Sequence, residues 1–136
     1  MSYGFKSTSD LVVDDDDAVR GLVAVLFRGM PGYDVKEAGD GLQAARIAEE
    51  MRPDAVVTDY SMPGLNGIDL CRYLRAQPET CHAKLLLMTA MPLTNLRSTA
   101  LAAGVDVVLA KPFTAMSMLN TVEKMFRKGP SGLAVG

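Results

Sequence analysis

Five times along this chain a short strand-like run is followed by apolar residues at helical spacing, and that alternation excludes most folds. The runs are Leu11-Val12-Val13, Tyr33 to Ala38, Ala55-Val56-Val57, Leu85-Leu86-Leu87-Met88 and Val105 to Leu109. The first, third and fourth are unbroken apolar, the pattern of strands covered on both faces. Helical stripes lie between the runs. Val19, Leu22, Val23 and Leu26 fall within residues 17 to 28, and Leu42, Ala45, Ile47 and Ala48 precede Met51. Ile68, Leu70, Cys71 and Leu74 form a third stripe, and a fourth helix is expected from Leu93 to Ala103. Thr114 can cap a fifth helix to Arg127, with Met118, Leu119, Val122 and Met125-Phe126 inward. Gly29, Pro31-Gly32, Asp40-Gly41, Pro53, Pro63-Gly64, Asn66-Gly67 and Gly104 punctuate the elements.

Five strand–helix units predict an α/β fold: a doubly wound, five-stranded parallel sheet with helices on both faces. Short right-handed crossovers favour strand order 2-1-3-4-5, a flavodoxin-like arrangement. A chain of 136 residues suits one such core. The domain is expected over residues 10–128, after an extension at 1–9 and before a flexible tail at 129–136. No output domain is expected in the few residues after Pro130.

The strand ends carry the chemistry. Asp14-Asp15, Asp59, Thr89 and Lys111 each stand where a strand stops. A parallel sheet puts those ends along one edge, so distant residues become one acidic pocket with a hydroxyl and an ammonium. Mg²⁺ takes oxygen ligands and keeps several waters. Asp15 and Asp59 are candidate direct ligands, Asp14 binds directly or through water, and the Ser61 backbone carbonyl can add another oxygen. A divalent ion relieves the repulsion among carboxylates and leaves Asp59 able to attack a phosphoryl donor. Lys111 and Thr89 can cover the remaining phosphoryl oxygens, and small Ala90 allows close backbone approach. Taken singly, Asp14 to Asp17 could be a solvated helix start, and Thr89 or Lys111 an ordinary structural or surface residue. Their joint placement at four strand ends favours a site.

The ordered set Val13-Asp14-Asp15-Asp16, Asp59-Tyr60-Ser61-Met62-Pro63-Gly64 with Gly67, Thr89-Ala90 and Lys111-Pro112-Phe113 resembles the receiver domain of two-component response regulators, over about residues 10 to 127. The resemblance implies that Asp59 accepts phosphate from a sensor histidine kinase, a phosphotransfer protein or a small donor such as acetyl phosphate. It implies that Asp14, Asp15 and Asp59 hold Mg²⁺, that Thr89 and Lys111 bind the phosphoryl oxygens, and that Lys111-Pro112 is cis. The surface of the fourth helix, fifth strand and fifth helix would report the state to a downstream effector protein. A homodimer is compatible with this. The implied role is a switch that assists its own phosphorylation and dephosphorylation rather than a turnover enzyme.

Two positions, Val108 and Asp10, depart from that pattern, and a third, Met91, is one that varies widely in the family. Val108 stands where many receivers carry a rotating aromatic, so a ring-based readout is not expected. Asp10 replaces an apolar residue, which suggests that the first strand begins late or lies near an exposed edge. Met91, two past Thr89, is expected to hinder water and slow loss of phosphate. In the first helix Ala18, Val25 and Phe27 exceed one apolar face, and extra core contact is expected.

A formal net charge of −2 argues against nucleic-acid binding, which needs many phosphate-neutralising cations. No apolar run approaches the roughly 20 residues of a membrane span. Residues 1–6 lack a signal-peptide core, so a cytosolic location is expected. Cys71 and Cys81 read as reduced thiols, and His82 as a surface residue. One alternative is a receiver cut from a larger regulator or hybrid kinase. Another is a Mg²⁺-dependent phosphatase passing through an aspartyl-phosphate. That chemistry favours a second acid two positions past the nucleophile, where Ser61 stands instead.

Overall fold

The computed structural model describes residues 8–127 and 134–135. Its order is β1 (Thr8–Val13), α1 (Asp17–Arg28), β2 (Tyr33–Ala38), α2 (Gly41–Met51), β3 (Ala55–Asp59), α3 (Gly67–Ala76), β4 (Lys84–Thr89), α4 (Leu93–Ala102), β5 (Val107–Ala110), α5 (Ala115–Arg127) and β6 (Ala134–Val135). All neighbouring strands are parallel, in order β2-β1-β3-β4-β5-β6. The predicted five-strand order is present. The short β6 is an addition beside β5, where a tail without regular structure is expected. Residues 128–133 and 136 of that segment, like 1–7, lie outside the described residues.

Alternation along the strands sends side chains to two cores. Leu11 and Val13 of β1 pack with Ala44 and Ala48 of α2, Ile68 and Leu74 of α3, and Leu96 of α4. Val12 packs with Val23, Ala24 and Phe27 of α1 and Met118, Val122 and Met125 of α5. Leu85, Leu86 and Leu87 are consecutive and all fully buried. Only a sheet covered on both faces allows that, and each such side chain contributes about 1.5–3 kcal/mol. Register aligns the strand ends: Val13 lies beside Ala38 and Thr58, Asp59 beside Met88, and Thr89 beside Ala110.

Two expectations about packing are corrected. β1 does not begin late or lie at an edge. It starts at Thr8, runs between β2 and β3, and buries Asp10 completely. In α1, Leu22 and Val25 are 55% and 64% exposed, whereas Val23, Ala24 and Phe27 are buried. Phe27 lies on the buried face of the helix and packs edge-on against Tyr33, with ring centroids 6.1 Å apart. At about 100° per residue, Leu22 and Val25 then stand roughly 140° and 160° away from Phe27.

Candidate functional site

The run of four aspartates divides its labour. The Asp16 side chain accepts from the Ala18 and Val19 amides at 2.9 and 3.2 Å, capping α1. Asp17 enters the first helical turn and pairs with Arg20. Asp14 is fully buried and Asp15 exposed, and neither caps the helix. Carboxylate oxygens of Asp14, Asp15 and Asp59 lie within 4.8 Å of one another. β1 and β3 are adjacent, so the two strand ends converge as the order requires.

Lys111 reaches this cluster from the end of β5. Its Nζ is 2.8 Å from Asp59 Oδ1 and 3.4 Å from Asp14 Oδ2. The Lys111 amide donates to the Thr89 carbonyl at 2.7 Å, and the Tyr60 amide to the Met88 carbonyl at 2.8 Å, which joins the loops after β3, β4 and β5. The Lys111–Pro112 peptide is cis, as the resemblance implies. Asp59, Ser61, Thr89, Ala90, Met91 and Lys111 line one open cavity of about 480 Å³. The Thr89 hydroxyl oxygen accepts from the Met91 amide at 3.0 Å. Its own O–H remains able to donate into the cavity.

The electrostatics fit a cation-binding pocket. Burial raises the Asp14 pKa above the ordinary carboxylate value and the nearby Asp59 charge adds to it, while the Asp16 amide and Lys111 oppose the rise. Burial works to lower the Lys111 pKa, but the hydrogen bond and charge of Asp59, with the charge of Asp14, outweigh it and raise the value. Three carboxylates face a single ammonium, so the pocket keeps an excess of negative charge suited to a hard divalent ion.

Two neighbours of the site make contacts that appear only in the packed structure. Gly67 reads as a turn former within the motif that follows Asp59, and its α-carbon abuts the backbone at the end of β3: a Cβ there would lie 2.2 Å from the Asp59 carbonyl oxygen. Arg20 of α1, to which the sequence assigns no role, donates from Nη1 to the Asp14 carbonyl at 2.8 Å. The Asn66-Gly67 pair was a usable signal for the first. For the second there was none, because the contact needs the packed β1–α1 turn. Val108 is buried in the core on the α4 side of the sheet.

A response regulator receiver domain family model matches residues 11–123. Chemotaxis protein CheY-3 of Vibrio cholerae is 37% identical over 123 residues, covering 90% of this chain and 95% of that protein. The DNA-binding response regulator MtrA of Mycobacterium tuberculosis is 36% identical over 87% of this chain, which spans 50% of its length. A putative response regulator from Chloroflexus aurantiacus superposes with a TM-score of 0.82 at 32% identity, over 90% of this chain and 100% of that one. The receiver domain of sensor histidine kinase PA1611 from Pseudomonas aeruginosa, with a magnesium ion coordinated in its active site cleft, gives a TM-score of 0.79 at 30% identity. That match covers 90% of this chain and 99% of the other.

Proposed function

This chain belongs to the response-regulator receiver domains, and from that membership we propose that Asp59 is its phosphoryl acceptor and that Asp14, Asp15, Asp59 and the Ser61 carbonyl form its Mg²⁺ site. The observation that carries the reading is the placement of the Lys111 ammonium between two buried carboxylates, 2.8 Å from Asp59 and 3.4 Å from Asp14. An ammonium alone leaves the cluster net negative. Mg²⁺, when bound, supplies the charge that offsets the repulsion between the carboxylates and an incoming phosphoryl group.

The residues of the chain do the rest. An Asp59 carboxylate oxygen attacks phosphorus. The bond from phosphorus to the donor nitrogen, or to the carboxylate oxygen of an acyl phosphate, breaks, and the donor departs with the electron pair. Lys111 neutralises one phosphoryl oxygen and the Thr89 hydroxyl donates to another. If Thr89 turns inward, it releases the Met91 amide. The N-cap of α4, Pro92, makes no side-chain capping bond, so α4 is weakly held at that end. The changed contact thus biases the loop after β4 and the α4–β5–α5 surface, without a ring at Val108.

The donor is a histidine kinase or phosphotransfer protein, and the output is read by an effector protein. A groove of about 360 Å³ lined by Val19, Leu22, Lys111, Pro112 and Phe113 opens beside the site, and its apolar lining suits the donor. The role is that of a switch. The domain is taken to span 10–128. Among the described residues no helix is long and apolar enough to cross a membrane.

The test is incubation with acetyl phosphate and Mg²⁺ followed by mass measurement of the intact protein. A single phosphate adduct is expected, lost on removal of Mg²⁺ and abolished by Asp59→Asn. An adduct that survives Asp59→Asn moves the acceptor elsewhere.

A further inference from the structure

The turn that carries Asp14 and Asp15 is held from outside the pocket by one guanidinium. Arg20 is only 19% exposed and commits three nitrogens to three partners. Nη1 donates to the Asp14 carbonyl at 2.8 Å, Nη2 meets Asp17 at 2.8 Å, and Nε meets Glu37 Oε1 at 3.2 Å. Glu37 lies in β2 and is itself fixed, because its other oxygen accepts from Arg28 at 3.0 Å. The Arg28 guanidinium also donates to the Val35 carbonyl at 3.2 Å. Arg20 therefore ties the end of β1 to α1 and β2 at once.

The peptide joining Asp14 to Asp15 is planar and rigid. Holding its carbonyl oxygen outward fixes the orientation of the whole plane, and so the direction in which Asp15 leaves it. Asp14 has further anchors: its amide donates to the Ala38 carbonyl at 3.2 Å, and its Oδ1 accepts from the Asp16 amide at 2.9 Å. The Asp15 side chain makes no hydrogen bond or ion pair among the described residues, so its aim depends on the backbone.

Arg20 also brings a positive charge towards a pocket that takes a cation. Charge alone makes the residue an opponent of metal binding. Its guanidinium, however, is matched by Asp17 and Glu37 at salt-bridge distance, which leaves little net field at the pocket. Geometry then outweighs repulsion. We propose that Arg20 is a positioning residue for the cation site, orienting the Asp14–Asp15 peptide so that both carboxylates face Asp59. This rests on the reading of Asp14, Asp15 and Asp59 as the Mg²⁺ ligands.

The two effects have opposite signs, which makes the test decisive. Mg²⁺ affinity is measured by calorimetric titration of the full chain with MgCl₂, and thermal unfolding is recorded alongside. Arg20→Gln is expected to bind Mg²⁺ about tenfold more weakly, the scale of an outer-shell loss. Arg20→Lys is expected to recover part of that loss, because an ammonium can still donate to the Asp14 carbonyl. Glu37→Gln is expected to weaken binding less than Arg20→Gln, since the bond to Asp14 survives. Unchanged or tighter Mg²⁺ binding by Arg20→Gln overturns the proposal even if melting falls, because that is the outcome of charge removal or of a purely structural role. Should Arg20→Gln fail to fold, Mg²⁺ affinity in Arg20→Lys equal to or tighter than wild type overturns it instead, since the lysine is expected to recover only part of the loss. Wild-type protein that takes up no Mg²⁺ overturns the cation site itself, whereas wild-type binding with an indifferent Arg20→Gln overturns only the role of Arg20.

Discussion

Replacing Asp10 with asparagine removes a buried charge while keeping the shape of the side chain, and the structure sets the size of the response. Asp10 is fully buried in β1. Its Oδ2 accepts from the Thr8 hydroxyl at 3.0 Å, while Oδ1 has no partner among the described residues. Burial lifts its pKa from 3.8 to about 7 against the Thr8 hydrogen bond, with the charges of Asp54 and Asp34 adding to the rise. One unit is about 1.36 kcal/mol, so a rise of roughly three units corresponds to up to about 4 kcal/mol. The folded pKa is the higher one, so the folded state holds its proton more tightly than the unfolded chain. The contribution to stability is fully present below pH 3.8 and is lost as pH rises through about 7. Asp10→Asn cannot titrate and lacks this slope. It also leaves an amide group short of a partner, a cost of about 1–3 kcal/mol that offsets part of the gain. Urea unfolding followed by circular dichroism, repeated from about pH 5 to about pH 8.5, checks the difference between the two proteins. Over this pH window, which starts above the unfolded value of 3.8, the stability of the variant relative to wild type is expected to improve by about 2.7 kcal/mol. Parallel pH profiles for the two proteins refute the reasoning, because they mean that Asp10 is ionised in the fold at no cost.

Three further outcomes follow from particular contacts. Gly67→Ala places a methyl 2.2 Å from the Asp59 carbonyl oxygen and 2.8 Å from Leu87, so backbone must move. A loss of about 1–3 kcal/mol in thermal or urea unfolding is expected, with slower adduct formation at Asp59. Thr80→Val removes the hydroxyl that donates to the Leu74 carbonyl at 2.6 Å in a fully buried site, and should cost about 1–3 kcal/mol in the same assay. Met91 lines the cavity and is 39% exposed, so Met91→Glu puts a group able to orient water beside the phosphoryl site. Decay of the adduct, followed by mass over time, should quicken severalfold, and equal lifetimes would count against Met91 as a barrier.

Local signals made the element pattern legible. The helix bounds of α1 and the strand bounds of β2 agree with the reading of apolar spacing and Gly/Pro punctuation. Gly104, at φ +86°, ends α4 as expected. Expectation and structure part where a residue type suits two environments. Asp10 looked like an edge residue because a lone carboxylate is costly inside a sheet. Leu22 looked like core because its spacing fits a stripe. The burial of Val23, Ala24 and Phe27 on one face, with Phe27 edge-on to Tyr33, turns Leu22 outward, and nothing in the order of residues records those contacts.

The sequence by itself determined the succession of strands and helices, the residue types at the strand ends and, through the ordered motif set, the family. These are short-range properties, written in periodicity and residue type. Only the tertiary structure decided which of four adjacent aspartates cap a helix and which face the pocket. It alone decided that Lys111 sits between Asp14 and Asp59, that Asp10 is interior, and that Arg20 grips the Asp14 carbonyl from behind. Each of these depends on distances between elements remote in the chain. Such distances exist only once the strands are paired, the helices are rotated against the sheet, and low-dielectric packing has set what each charge meets.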